Sequence, residues 1–503
     1  MSTEREVKLI APPDLELPSM EGLAPAVVAV AAPTRWLDAV YHDTADLRLA
    51  RAGVTLRHRS GEEGLPWTLK LPGSSTGSQL VRSEIGFGGD PVPVPREAAD
   101  VVLARTRAAT LAPVARLRTE RRVTELRDRT GPVAEVVDDR VTVEGPAGAP
   151  AGFREIEIEV LADSAAANAV LRAATDRLVA AGCVAETPVP KLVRALGDAA
   201  SGPADVVVNA VGPDATVLEL ARASIAASVD RLVSHDAGVR LGDDPEDVHQ
   251  FRVAARRLRA HLRTFSPMLD GAWVAELRGE LSWIAGTVGA LRDADVFGAR
   301  LQVLAASVAP EDAGGVELLL GEVAARAAGS RADALEALRS SRYVSLVDAL
   351  VAAASSPVLA APGDAHAGRA AARDVSRWVG PAWRRLSRQV ARLGDDPPDW
   401  QLHRVRILAK RCRYAAEAFI PVCGKDAARF AAGMAGLQTV LGDLQDTVVG
   451  EDWLRAAASG SPESAVAAGQ LIAAERAERR RLSAAWPAVW EKAADKRRRR
   501  WLD

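Results

Sequence analysis

Over its first two hundred residues the chain alternates apolar and charged positions in short runs, and in a β-strand alternate side chains point to opposite faces. In the first run Glu4, Glu6 and Lys8 share one face and Val7 and Leu9 the other. Arg57 and Arg59 oppose Val54, Leu56 and His58. Lys70 opposes Leu69 and Leu71, and Arg82 with Glu84 opposes Val81 and Ile85. Arg116, Arg118, Glu120 and Arg122 share a face. Glu155, Glu157 and Glu159 oppose Ile156, Ile158 and Val160. Turn clusters at Gly73–Gly77, Gly86–Pro95 and Gly145–Gly152 separate the runs, so antiparallel strands and hairpins are expected. Ala98–Leu111 and Ser164–Ala181 read as helices among them.

From about Asp214 to Trp490 the period changes to 3.6 and the pattern becomes helical. Loops are expected near Pro310–Gly315 and Ser355–Gly368. The domain reading is therefore 1–200, a linker over 201–213, and a helical domain over 214–500. The fold class expected is α+β and multidomain: an antiparallel β domain with packing helices, then an all-α domain.

Composition narrows the chemistry. The net charge of −2 offers no global pull on polyanions, so a basic site has to be local. Three cysteines, Cys183, Cys412 and Cys423, give neither a disulfide framework nor metal-type spacing. The charged N-terminus is unlike a signal peptide, and the longest apolar stretch, Ala24–Ala32, is far short of the about 20 residues that span a bilayer. Cytoplasmic residence and no membrane partner are expected.

A sheet whose one face carries arginine pairs and glutamate pairs can be an ordinary solvated sheet, or a barrel with charge inside and helices outside. An empty charged lumen would be costly. Filled by a polyanion and a divalent cation it becomes reasonable. Arginine and lysine would meet phosphate oxygens, and paired glutamates supply the hard oxygen ligands that Mg²⁺ or Mn²⁺ prefers.

Glu4-Arg5-Glu6-Val7-Lys8 resembles the ExExK signature of the CYTH superfamily, the triphosphate tunnel metalloenzymes. Tyr41-His42-Asp43-Thr44, then Leu47, Leu49, Gly53 and Leu56-Arg57-His58-Arg59, resembles the block that follows it there. The resemblance covers about residues 2–200. It implies an eight-stranded antiparallel tunnel that hydrolyses a triphosphate with Mg²⁺ or Mn²⁺. It implies phosphate binding by Lys8, Arg57, Arg59, Lys70, Arg82, Arg118 and Lys191, and metal binding by Glu4, Glu6, Glu157 and Glu159. Glu84 and Glu155 are the candidates for orienting the attacking water. Arg118 is a preference over Arg116 and Arg122.

The helical half contains a repeat. VHQFRVAARRLRAHL from Val248 matches LHRVRILAKRCRYAA from Leu402, 154 residues later. His249, Arg252, Arg256 and Arg259 match His403, Arg406, Lys410 and Arg413, and each set falls on one helix face. Arg263 continues the first stripe. Val288-Gly289-Ala290-Leu291-Arg292-Asp293 recurs as Leu441-Gly442-Asp443-Leu444-Gln445-Asp446. This text resembles the CHAD domain, the conserved histidine α-helical domain. The resemblance implies two pseudo-symmetric helical bundles whose eight stripe residues bind inorganic polyphosphate, and association with polyphosphate granules is conceivable on that ground.

Hydrolysis of inorganic triphosphate, with polyphosphate held by the second domain, is the leading expectation. The alternative is a non-catalytic polyphosphate-binding or sensing protein. Thiamine triphosphate or nucleotide chemistry ranks lower, since no base-recognition motif is visible. Nucleic acid ranks lowest, because no aromatics interleave the basic stripes. Oligomeric state is not legible.

Overall fold

The computed structural model describes residues 5–24, 27–76, 79–129, 131–145, 150–161, 164–185, 189–360 and 367–502. The chain divides into two units, residues 1–205 and 206–503.

The first unit is built on strands β1 (Arg5–Ile10), β2 (Val28–Ala31), β3 (Arg35–Asp43), β4 (Thr55–Ser60), β5 (Trp67–Thr76), β6 (Gln79–Phe87), β7 (Ala112–Arg127), β8 (Pro132–Glu144), β9 (Gly152–Val160) and β10 (Val184–Ala185). All pairings are antiparallel. The order is β10-β1-β9-β8-β7-β3-β4-β5-β6, with β2 added on β7. β6 returns against β1, so the eight longer strands curl into a tunnel, and β2 and β10 are short additions.

Five helices accompany the sheet: α1 (Arg48–Arg51), α2 (Arg96–Val101), α3 (Leu103–Thr106), α4 (Ala165–Ala180) and α5 (Lys191–Leu196). The single helix expected over 98–111 is two short ones, interrupted at Val102. Alternation sets which side chains go where. Val7, Leu9, Val136, Ile156 and Ile158 point outward and are buried beneath α4, against Val170, Leu171, Ala174 and Leu178. The opposite parity points into the tunnel. At one end the inward residues are apolar, and Tyr41, Leu117 and Val141 pack on Leu192, Ala195 and Leu196 of α5, which plugs that end.

The Tyr41–Thr44 motif has a structural reason. The buried Asp43 carboxylate accepts from the backbone N–H groups of Thr44 (2.6 Å), Leu49 (2.9 Å) and Ala50 (2.8 Å), fixing the turn into α1. Such bonds satisfy donors that a short helix leaves orphaned.

The second unit is all-helical: α6 (Val217–Leu241), α7 (Pro245–Thr264), α8 (Gly271–Ala305), α9 (Ala313–Arg339), α10 (Ser341–Ser355), α11 (Val375–Trp378), α12 (Gly380–Val390), α13 (Asp399–Ala418), α14 (Ile420–Ala457), α15 (Pro462–Ala493) and α16 (Lys496–Arg499). Helix starts carry side-chain caps: Thr216 with Glu219 in a capping box, Asp244 before Pro245, and Asp270, Ser340 and Ser461. The repeat is structural as well as textual. α7 packs on α8 as α13 packs on α14, both stripe helices have 20 residues, and α7 runs beside α13. Among the described residues no helix is long and apolar enough to cross a membrane.

Candidate functional site

The tunnel encloses a cavity of about 180 Å³. Its cations are Lys8, Arg57, Arg59, Lys70, Arg121 and Lys191, and its acids are Glu62, Glu84, Glu135, Glu157 and Glu159. Each comes from an inward-facing position of a strand, except Glu62 from the β4–β5 loop and Lys191 from the start of α5.

Most of these cations are held by acids. Lys8 pairs with Glu157, and Lys70 with Glu84 at 2.7 Å. Arg121 donates to Asp139 from Nε (2.9 Å) and Nη2 (2.7 Å). Lys191 Nζ lies 2.6 Å from Asp139, 3.0 Å from Glu155 and 3.3 Å from Glu157. Burial alone would raise the Glu157 carboxyl, but Lys191, Lys8 and Arg121 outweigh it and hold it well below the ordinary range. Arg59 pairs with Glu62. Burial, with Arg57 beside it, pushes Arg59 down to about 10.

Arg57 differs from the rest. Its Nη1 donates to the Tyr41 hydroxyl at 3.3 Å, its Nε is buried without a partner, and among the described residues it forms no ion pair. A half-buried guanidinium in that state carries a positive charge that no carboxylate contacts directly among the described residues.

The expected residues fall into three groups. Lys8, Arg57, Arg59, Lys70, Lys191, Glu84, Glu157 and Glu159 line one cavity. Glu4 and the side chains of Glu6 and Arg82 lie outside the described residues, although the backbone places Glu6 opposite Glu159 and Arg82 on the same strand face as Glu84. Two expectations are corrected. Arg118 lies on the outer face of β7, exposed and 3.2 Å from Glu144, because the inward parity of that strand is Ala115, Leu117, Thr119 and Arg121. Glu155 does not line the cavity. It is 1 % exposed beneath Lys191, and burial raises its carboxyl, so it anchors that lysine and does not meet water.

Arg121, Asp139, Glu135 and Glu62 are the residues that sequence reasoning missed. Glu135 and Asp139 share a parity on β8, but only the register with β9 and β7 turns that parity inward.

A divalent cation suits the donor set. Among the described residues no three side chains of metal-binding type converge. The register, however, sets Glu6 opposite Glu159 and Glu159 opposite Glu135, a row of carboxylate-bearing positions across β1, β9 and β8. Hard oxygen donors in such a row match Mg²⁺ or Mn²⁺ and not a soft ion.

In the second unit the two stripes face each other. Arg252 Nη1 donates to Asp293 at 2.9 Å, and its guanidinium lies against Gly289; Arg406 lies against Gly442 in the same way. Burial, helped by Arg406, Arg256 and Arg252, pushes Lys410 down to about 7. Cations of both copies thus stand close to Lys410. Burial lowers His249 below its usual value. The Nδ1 of His403 and the Nε atoms of Arg256 and Arg406 are buried without partners. Arg413 is less available than its stripe position suggests, since it donates to Glu417 at 2.6 Å.

Comparison with known proteins agrees with this geometry. The CYTH domain model matches residues 2–178 and the CHAD domain model residues 223–455. An uncharacterized protein of Mycobacterium tuberculosis (strain CDC 1551 / Oshkosh) is 35% identical over 464 residues, covering 87% of this chain and 85% of its own length. The chain belongs to the CYTH–CHAD family. The chain is similar to two solved structures. PptA from Streptomyces chartreusis is 25% identical, spans 55% of this chain and 100% of its own, and has a TM-score of 0.46. The CHAD domain from the plant Ricinus communis is 28% identical, spans 57% and 95%, and also has a TM-score of 0.46. The CYTH domain thus carries the tunnel, and the CHAD domain the paired stripes.

Proposed function

We propose that the CYTH tunnel hydrolyses inorganic triphosphate with a divalent cation, and that the CHAD domain holds polyphosphate along its two stripes. The observation that carries the first part is Arg57, a half-buried guanidinium with no ion pair among the described residues, in a cavity lined by five further cations.

Arg57, Arg59 and Lys70 line the wall made by β4 and β5, where they would bind the phosphate chain. Lys8, Arg121 and Lys191 face them from β1, β7 and α5. Phosphoryl transfer asks mainly for position and for neutralisation of charge, and this lining offers both. Glu6 and Glu159, with Glu135 beside them, would hold Mg²⁺ or Mn²⁺, which supplies charge neutralisation at the phosphate oxygens. Of the two candidates for accepting a proton from the attacking water, Glu84 is favoured because it lines the cavity and Glu155 does not.

In the CHAD domain Arg252, Arg256, Arg406 and Lys410 form the centre of a polyphosphate groove. A line of cations of this kind suits a uniformly charged chain, with salt-sensitive affinity. A panel of tripolyphosphate, pyrophosphate, thiamine triphosphate and ATP, with Mg²⁺ and with Mn²⁺, tests the reading. Orthophosphate release fastest from tripolyphosphate supports it. Binding of tripolyphosphate with no release from any substrate would leave a sensing role in its place.

A further inference from the structure

A second cationic cluster lies further along α7, and the repeat shows what is unusual about it. At the offset of 154 residues Arg257 corresponds to Arg411, Arg259 to Arg413 and Arg263 to Glu417. In one half the acid closes the arrangement. Glu417 Oε2 lies 3.0 Å from Arg257, and its Oε1 accepts from Arg413. At the equivalent place in the other half the acid is replaced by Arg263.

Arg263 lies within electrostatic reach of Arg411, Arg278, Arg259 and Arg385, contributed by α13, α8, α7 and α12, and shares a cavity wall with Arg385 and Arg411. Among the described residues none of the five forms an ion pair. The Nε atoms of Arg259 and Arg278 are buried without partners. Beside them opens a cavity of about 290 Å³ lined by Arg263, Arg385 and Arg411 together with Arg377, Thr264 and Ser266. Burial and the neighbouring guanidiniums push Arg263 down to about 10. Half-buried like charges around an open cavity cost stability unless an anion joins them. The other half of the same fold shows how cheaply a carboxylate would have done so.

We propose that Arg263, Arg278, Arg385 and Arg411 form a phosphoanion site at one end of the CHAD domain, and that a polyphosphate chain held by the stripes runs on into it. This rests on the polyphosphate reading of the groove. Arg259 links the two parts. At 1.5 Å of rise per residue, the eleven steps from Arg252 to Arg263 span about 16 Å of helix. A chain has to be long to touch both ends, and because Glu417 closes the equivalent place, the extension exists on one side only. The groove therefore has a direction and favours long chains over tripolyphosphate.

The full chain is titrated with long-chain polyphosphate, with tripolyphosphate and with single-stranded DNA at several salt concentrations. Three variants are compared with it: Arg263→Glu, the double variant Arg385→Ala/Arg411→Ala, and Arg252→Ala/Arg256→Ala in the stripe. Arg263→Glu recreates next to Arg411 the pair that Glu417 makes with Arg257. It should keep or raise the thermal midpoint while long-chain affinity falls at least tenfold, and the log–log salt slope should lose about 0.7 per phosphate contact removed. The double variant should lose long-chain affinity similarly, with tripolyphosphate binding in the tunnel unchanged. Long-chain affinity equal to wild type in both end-cluster variants, but lost in the stripe variant, overturns this inference alone. Failure of the unaltered chain to retain long-chain polyphosphate overturns the groove reading and this inference together. Loss confined to single-stranded DNA binding overturns it in favour of a nucleic acid.

Discussion

Arg121 of β7 grips Asp139 of β8 with two parallel hydrogen bonds inside the tunnel wall, Nε to Oδ1 at 2.9 Å and Nη2 to Oδ2 at 2.7 Å. Asp139 is fully buried and also takes Lys191 of α5, so one carboxylate ties the wall to the plug. Removing it takes the two-point partner from Arg121, which keeps only Glu157 at 3.7 Å and Glu62 at 3.9 Å, and the shortest partner from Lys191. Asp139→Ala should destabilise the first unit by about 3–5 kcal/mol, the usual cost of breaking a buried pair, and leave the second unit's unfolding in place. Denaturant unfolding followed by tryptophan fluorescence measures this. Burial opposes ionisation of Asp139, but Lys191 and Arg121 hold its carboxyl below the ordinary value. Its contribution is therefore complete above the unfolded pKa of about 4 and fades as pH falls through the folded value.

Arg118 and Arg121 are three positions apart on β7 and face opposite ways. Arg121→Ala should lower kcat/KM for tripolyphosphate by about 100-fold or more, the scale seen when a charge-stabilising donor is removed. Arg118→Ala should leave it within about twofold, since an exposed ion pair contributes little. Steady-state kinetics of the two variants decides between the faces.

Glu62 pairs with Arg59 in the cavity, where it would compete with a bound triphosphate. The left-handed Gly61 (φ +92°) packs against the Trp36 carbonyl, where a Cβ would come within 2.0 Å, and this turn directs Glu62 onto Arg59. Glu62→Gln should lower KM for tripolyphosphate by about three- to tenfold, matching the ~1 kcal/mol of a partly exposed pair. An unchanged or raised KM would show that Glu62 does not compete.

Burial and the neighbouring cations push Lys410 down to about 7. Above that pH it is uncharged, and a bound phosphate chain would restore its proton. Polyphosphate binding at pH 8 should therefore take up a proton, and affinity should fall as pH rises through 7. Calorimetry in two buffers of different ionisation heat detects the uptake, which Lys410→Arg should abolish.

Much of this was legible from alternation and repetition. Val7 and Leu9 against Lys8, and Ile156 and Ile158 against Glu157, gave both faces of the tunnel wall, and His249 to Arg259 against His403 to Arg413 gave the paired stripes. The β7 run was not legible, because Arg116, Arg118, Arg121 and Arg122 put cations on both faces. Only the register with β3 and β8 selects the inward one. Asp138 and Asp139 show the same limit. The first pairs outside with Arg154 at 2.8 Å, the second inside with Arg121, and adjacent identical residues carry no sign of which is which. Glu155 shares its parity with Glu157, so nothing in the alternation tells that Lys191 covers it. Arg263 looked like a continuation of a stripe, and its exchange for Glu417 across the repeat gains meaning only when the helices are packed.

Orthophosphate release from tripolyphosphate by the full chain with Mg²⁺ or Mn²⁺ tests the central claim most directly, with Arg57→Ala as its partner. Release by the unaltered chain, reduced about 100-fold or more in Arg57→Ala, is the result predicted for a guanidinium that meets the reacting phosphates. Equal rates in the two proteins would contradict a catalytic tunnel built around Arg57.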